Sequence, residues 1–96
     1  MHPSEADFVE WDEGNETELG AHSISAAEVE QLLEEPIAWV PNRRRRAGDW
    51  KVLGHTRGGR RLTVVVRFDS ERGGLRPITG WDSTAGERSR YFGGPR

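Results

Sequence analysis

Cysteine is absent from this 96-residue chain, which excludes disulfides and thiolate metal sites. Lysine occurs once, at Lys51, against thirteen arginines. The three histidines, His2, His22 and His55, are too scattered to form a metal-ligand motif, so no metal and no cofactor is expected. No apolar run approaches the ~20 residues that span a bilayer. The N-terminus lacks the basic start and apolar core of a secretory signal. The expectation is a cytoplasmic chain with no membrane partner. The length leaves room for one domain. Apolar residues are only 33% of the chain and charged residues 31%, so its four Trp and three Phe must supply much of the buried area.

What is present is an uneven distribution of charge. Residues 1–35 hold eleven acidic residues and no Lys or Arg, a net of −11. Residues 36–96 hold fourteen basic and five acidic residues, a net of +9. Such a chain either presents a basic surface to a polyanion or uses acidic helices to neutralise an Arg-rich sheet. Composition leaves both open.

Local patterns define the elements. Residues 1–7 read as a loose terminus, 8–92 as the domain and 93–96 as a frayed end. Phe8 to Trp11 suits a short strand. Asp12 caps a predicted helix over 13–20. Ser25 and Glu28 form a capping box ahead of Val29, Leu32 and Leu33 at helical spacing, and Pro36 ends that helix. Strands are expected over 37–40, 50–56, 61–68 and 75–81. The Gly58-Gly59 pair suits a type I′ hairpin turn. Arg43 to Arg46 form a basic loop. Thr84 and Glu87 offer another capping box before a short helix reaching Tyr91. The expected fold is α+β: two N-terminal helices on one face of an antiparallel sheet of about four strands, with a short C-terminal helix and the other face open.

The order of these motifs resembles the BrnT family of toxins. Its opening Trp-Asp, following Asn and later His-small-aliphatic step are matched by Trp11, Asp12, Asn15, His22, Ser23 and Ile24. Ala27, Glu28, Val29 and Pro36 match its helix. Val52, Leu53, Gly54, Gly59, Leu62, Val64 and Val66 match its hairpin. Arg76, Ile78, Glu87, Arg88 and Tyr91 match its last strand and helix. One departure stands in Thr79-Gly80-Trp81-Asp82, where Trp81 replaces an Arg that many relatives carry. The resemblance covers residues 8–92. It implies a RelE-like fold, metal-independent RNA cleavage, and neutralisation by an antitoxin from an adjacent gene, in a homo-oligomer or a toxin–antitoxin hetero-oligomer.

That chemistry needs Arg around a pentavalent phosphate and groups to move protons. Arg67 and Arg76, on neighbouring strands, are candidates for the phosphate. Phosphate recognition suits Arg, whose planar fork meets two oxygens at once. His55 is the candidate acid–base group, since imidazole titrates near neutrality. These three are expected in one cluster on the sheet face away from the Ser25 helix, because alternation turns Arg67 opposite to Leu62, Val64, Val66 and Phe68. Asp82 and Glu87 are candidates to orient an Arg or accept a proton; serving the start of the last helix is the equal alternative. Arg57, Trp81, Arg90 and Tyr91 are candidate RNA contacts, Trp81 and Tyr91 through stacking. Each has a plain structural alternative as a solvated charge or a packed ring. Two functional readings remain open: a ribonuclease toxin, or a degenerate module that only binds a partner protein. A DNA-binding domain is the weakest option, because no helix carries clustered basic residues.

Overall fold

A computed structural model describes residues 1–43 and 48–93. Its elements are a 3-10 turn at Pro3–Glu5, β1 (Phe8–Val9), α1 (Glu13–Ala21), α2 (Ala26–Glu34), β2 (Pro36–Pro41), β3 (Trp50–His55), β4 (Arg61–Asp69), β5 (Gly74–Asp82) and α3 (Ala85–Tyr91). Arg44–Arg46 of the basic loop and the last three residues lie outside the described part.

Each helix starts on a reciprocal cap. Asp12 accepts from the Asn15 N–H at 3.0 Å while Asn15 accepts from the Asp12 N–H at 2.9 Å. The Ser25–Glu28 pair closes at 3.1 and 3.0 Å, and Thr84–Glu87 at 3.1 and 2.9 Å. These bonds satisfy N–H groups that the first turn of a helix cannot.

The strands form one five-stranded sheet in the order β1-β5-β4-β3-β2. Four are antiparallel, as the meander requires. β1 adds a fifth, parallel to β5 through Phe8–Gly74 and Val9–Leu75. The sheet is therefore mixed rather than purely antiparallel, because α1 and α2 carry the chain across the sheet before the meander begins. A register shift on β5 leaves Ile78 between the pairs Val65–Thr79 and Val66–Pro77. Such a bulge accommodates Pro77, which has no N–H for a regular ladder. The hairpin between β3 and β4 also differs from a type I′ turn. Only Gly59 has a positive φ, 86°, and its N–H bonds to the Thr56 carbonyl at 3.0 Å. One left-handed residue closing a three-residue loop is the bulged alternative to a two-residue turn.

The core lies between α1–α2 and the sheet. Leu19, Ile24, Val29 and Leu32 meet Val52, Leu62, Val64, Val66 and Leu75, all buried. Two glycines let the layers close. A Cβ on Gly54 would stand 3.0 Å from Leu32 Cγ, and one on Gly80 would stand 3.3 Å from Ile24 Cδ1 and 3.4 Å from Leu19 Cδ2.

Two expectations need correction. Residues 1–7 do not form a loose end: Pro3 is buried and the His2 ring lies edge-on to Trp39 and Trp50, at centroid distances of 5.8 and 5.0 Å. The indoles offer a surface that makes packing favourable even for a short terminal segment. Nor is the second face of the sheet open, because α3 lies against it. Its Glu87 carboxylate accepts from Thr63 Oγ1 and Trp81 Nε1, both at 3.0 Å. Leu53, Thr63 and Val65 on that face are buried.

Candidate nucleic-acid interface

Alternation along the strands sorts charge between the two faces. The helical layer carries Glu13, Glu16, Glu18, Glu28, Glu30 and Glu34 on α1 and α2. The opposite face receives Lys51 and His55 from β3, and Arg61 and Arg67 from β4. Arg61 and Arg67 are six residues apart on one strand, which sets them about 20 Å apart. The basic groups thus mark the two ends of this face, with α3 between them.

At one end His55 and Arg61 are register partners, and both are exposed. The Phe92 ring touches both. His55 meets it edge-on at 5.0 Å, and the Arg61 guanidinium lies 5.9 Å from its centroid. At the other end Arg67 and Arg76 are register partners, as expected from the turn that joins their strands. The expected three-residue cluster does not form, however. His55 sits opposite Arg61 rather than near Arg67, at the far end of the ladder. A hairpin reverses the chain, so the end of β3 meets the start of β4 and not its finish.

Arg76 is also already engaged. Its two terminal nitrogens fork onto the Asp12 carboxylate at 2.7 and 3.1 Å. The Arg76 bonds, with the Asn15 N–H, hold the Asp12 carboxyl down from 3.8 to about 2. Asp82 points to the helical side, where Arg60 grips it at 2.7 and 3.1 Å. The same guanidinium reaches the Ser23 carbonyl at 2.6 Å and both Glu28 oxygens at 3.2 Å. Arg60 therefore clamps α2, the α1–α2 turn and the end of β5 together. Asp82 and Glu87 lie on opposite faces and do not act as a pair.

Glu87 lies at the centre of the second face. Burial pushes its carboxyl up, but the Thr84 N–H, the Trp81 indole, the Thr63 hydroxyl and the Lys51 charge outweigh it. The net displacement is downward, so Glu87 is a stable carboxylate rather than a proton donor. Trp81 donates to it and is half-buried, which commits the indole to α3. Of the remaining candidates, Arg57 bonds Gln31 through its backbone N–H at 2.9 Å and Glu34 through its guanidinium at 3.1 Å. Arg90 stands over the neighbouring Tyr91 ring at 5.6 Å, near the end of α3. His22 closes α1 and lies 3.3 Å from Glu18. Among the described residues no three His, Asp or Glu side chains converge in a way that would hold a metal ion, and no helix is long and apolar enough to cross a membrane.

Sequence reasoning missed Lys51, Arg61 and Phe92. For Arg61 the signal was present, since it shares strand parity with Arg67. Phe92 lies just beyond α3, and only the placement of that helix brings its ring to His55. Comparison of the chain with protein-family models, curated proteins and solved structures finds no match.

Proposed function

We propose that this chain binds RNA on the face bearing Lys51, His55, Arg61 and Arg67, and cleaves it without a metal. In that role it is a toxin-type ribonuclease of the kind its BrnT-like motif order resembles, restrained by a partner protein. One observation carries the reading: acidic groups collect on the helical layer, while these basic groups flank the carboxylate of Glu87 on the opposite sheet face. Phosphates favour such a one-sided field, and Arg contacts supply both affinity and salt dependence. The half-buried Phe92 and Tyr91 rings beside Arg61 and Arg90 offer aromatic partners to unstacked bases.

The cross-strand pair His55–Arg61 then replaces the larger cluster as the reacting pair. Arg61 holds a phosphate oxygen. His55 takes the proton of the ribose 2′-hydroxyl as that oxygen bonds to phosphorus. The P–O5′ bond breaks, the 5′-oxygen takes a proton from water, and a 2′,3′-cyclic phosphate remains. A second reading, a partner-binding module without activity, is favoured by the internal engagement of Arg76, Asp82 and Glu87. Purified protein incubated with single-stranded RNA in excess chelator separates the two. The expected outcome is cleavage that falls about 100-fold or more in His55→Ala with binding retained, and binding that weakens with a shallower salt slope in Arg61→Ala. RNA that stays intact under the folded protein supports the binding module.

A further inference from the structure

A groove of about 530 Å³ lies on the side away from the basic face, between the N-terminal segment and α2. Its apolar lining comes from Ala6 and Val9 of the N-terminal segment, Leu33 of α2 and Trp39 of β2. Phe8, 40% exposed, also lines it, with the Arg72 guanidinium 5.5 Å from its ring centroid and paired to Glu10. The charged residues that line it are all acidic: Asp7, Glu30 and Glu34. Glu34 is bridged by Arg57 at 3.1 Å, and Glu30 accepts from the Trp11 indole at 2.7 Å. The rim thus remains net negative over an apolar floor.

We infer that this groove docks a cationic amphipathic polypeptide segment, one that seats an aliphatic or aromatic anchor on Trp39 and Leu33 and places Arg or Lys over the rim. The volume suits two or three side chains rather than a folded surface. The groove borders the last turns of α2 and the N-terminal segment, which matches a short extended or helical segment. Charge complementarity excludes an acidic segment, because like charges at a rim oppose association. The occupant is therefore opposite in charge to any ligand of the basic face. The inference does not rest on the RNA reading, and each can fail without the other.

The probe is a fluorescein-labelled 12-residue peptide with Leu at helical spacing and Arg elsewhere. Its controls are a composition-matched scramble and a counterpart with Glu in place of Arg. The full chain, isotope-labelled, is titrated by anisotropy and by NMR. The Leu/Arg peptide should bind and shift the Trp39 indole and the Ala6 and Leu33 amides. The Glu counterpart should not bind. The double variant Asp7→Asn, Glu30→Gln should weaken binding about tenfold at unchanged Tm. Glu13→Gln, Glu16→Gln removes the same charge from α1, outside the groove, and should leave affinity unchanged. Equal weakening by the two double variants, or equal binding of the scramble, overturns the inference in favour of diffuse electrostatics. Broadening of Trp39 with protein concentration alone overturns it in favour of a second copy of the chain.

Discussion

On one face of the sheet, Leu19, Ile24, Val29 and Leu32 interlock with the branched side chains of β3, β4 and β5. On the other, α3 covers the strands with seven residues, none of them buried. Its hold is polar. Glu87 accepts from Thr63, Trp81 and its own cap, and Arg88 donates to the Ser83 carbonyl at 2.7 Å. The first interface is set by packing and is costly to disturb. The second is set by a few directional bonds beside exposed His55 and Arg61. The ion pairs follow the same division. Arg57, Arg60, Arg72 and Arg76 bind carboxylates of the N-terminal half. Lys51, His55 and Arg61 face away from that half. The neutralising reading of the charge asymmetry is thus seen on the helical side of the sheet, and the polyanion reading belongs with the proposed function.

The sharpest way to break this contrast is to cut into each face in turn. Leu32→Ala, under Gly54 and fully buried, should cost about 2–5 kcal/mol of unfolding free energy, read from denaturant melts. Glu87→Ala should cost less, about 1–3 kcal/mol, since it strips partners from the Trp81 indole and the α3 cap but opens no apolar cavity. Hydrogen exchange should then rise at 85–92 while β4 amides stay protected. A loss in β4 protection equal to that of Leu32→Ala would show that both faces form one cooperative core.

A smaller effect concerns acid. Asp12 is held at about 2 in the folded chain against an ordinary 3.8. Its folded value is depressed, so its contribution is complete above pH 3.8 and is lost as pH falls through about 2. Glu28, Asp82 and Glu87 shift in the same direction. Asp12→Asn keeps an N-capping oxygen but removes the titration. It should flatten the acid limb of stability between about pH 4 and pH 2 relative to the parent, measured by thermal melts across that range. An unchanged acid limb would mean that the Arg76–Asp12 fork adds nothing to the folded state.

The elements themselves were legible because their signals are local. Two capping boxes and the Asp12 cap are written in nearby residues, and alternation over Leu62, Val64 and Val66 orients β4 without knowledge of anything else. The same alternation placed Arg67 on the face away from α2, and the short turn at Asp69 placed Arg76 beside it. The site was less legible. His55 shares no local pattern with Arg67, and its true partner, Arg61, depends on how the hairpin closes at Gly59. The engagement of Arg76 by Asp12 joins residues 64 apart in sequence, a pairing that no spacing rule encodes.

By itself, then, the order of residues determined the α+β class, the helix starts, the meander and the separation of an acidic front from a basic rear. Periodicity, capping and turn chemistry act over a few residues, so they can be read without a fold. Only the tertiary structure decided that β1 joins the sheet parallel to β5, that α3 closes the second face, that His2 packs on Trp39 and Trp50, and which arginines bind carboxylates. Each of these depends on surfaces that exist only once distant segments have met, and on charges whose neighbours are chosen by packing rather than by sequence separation.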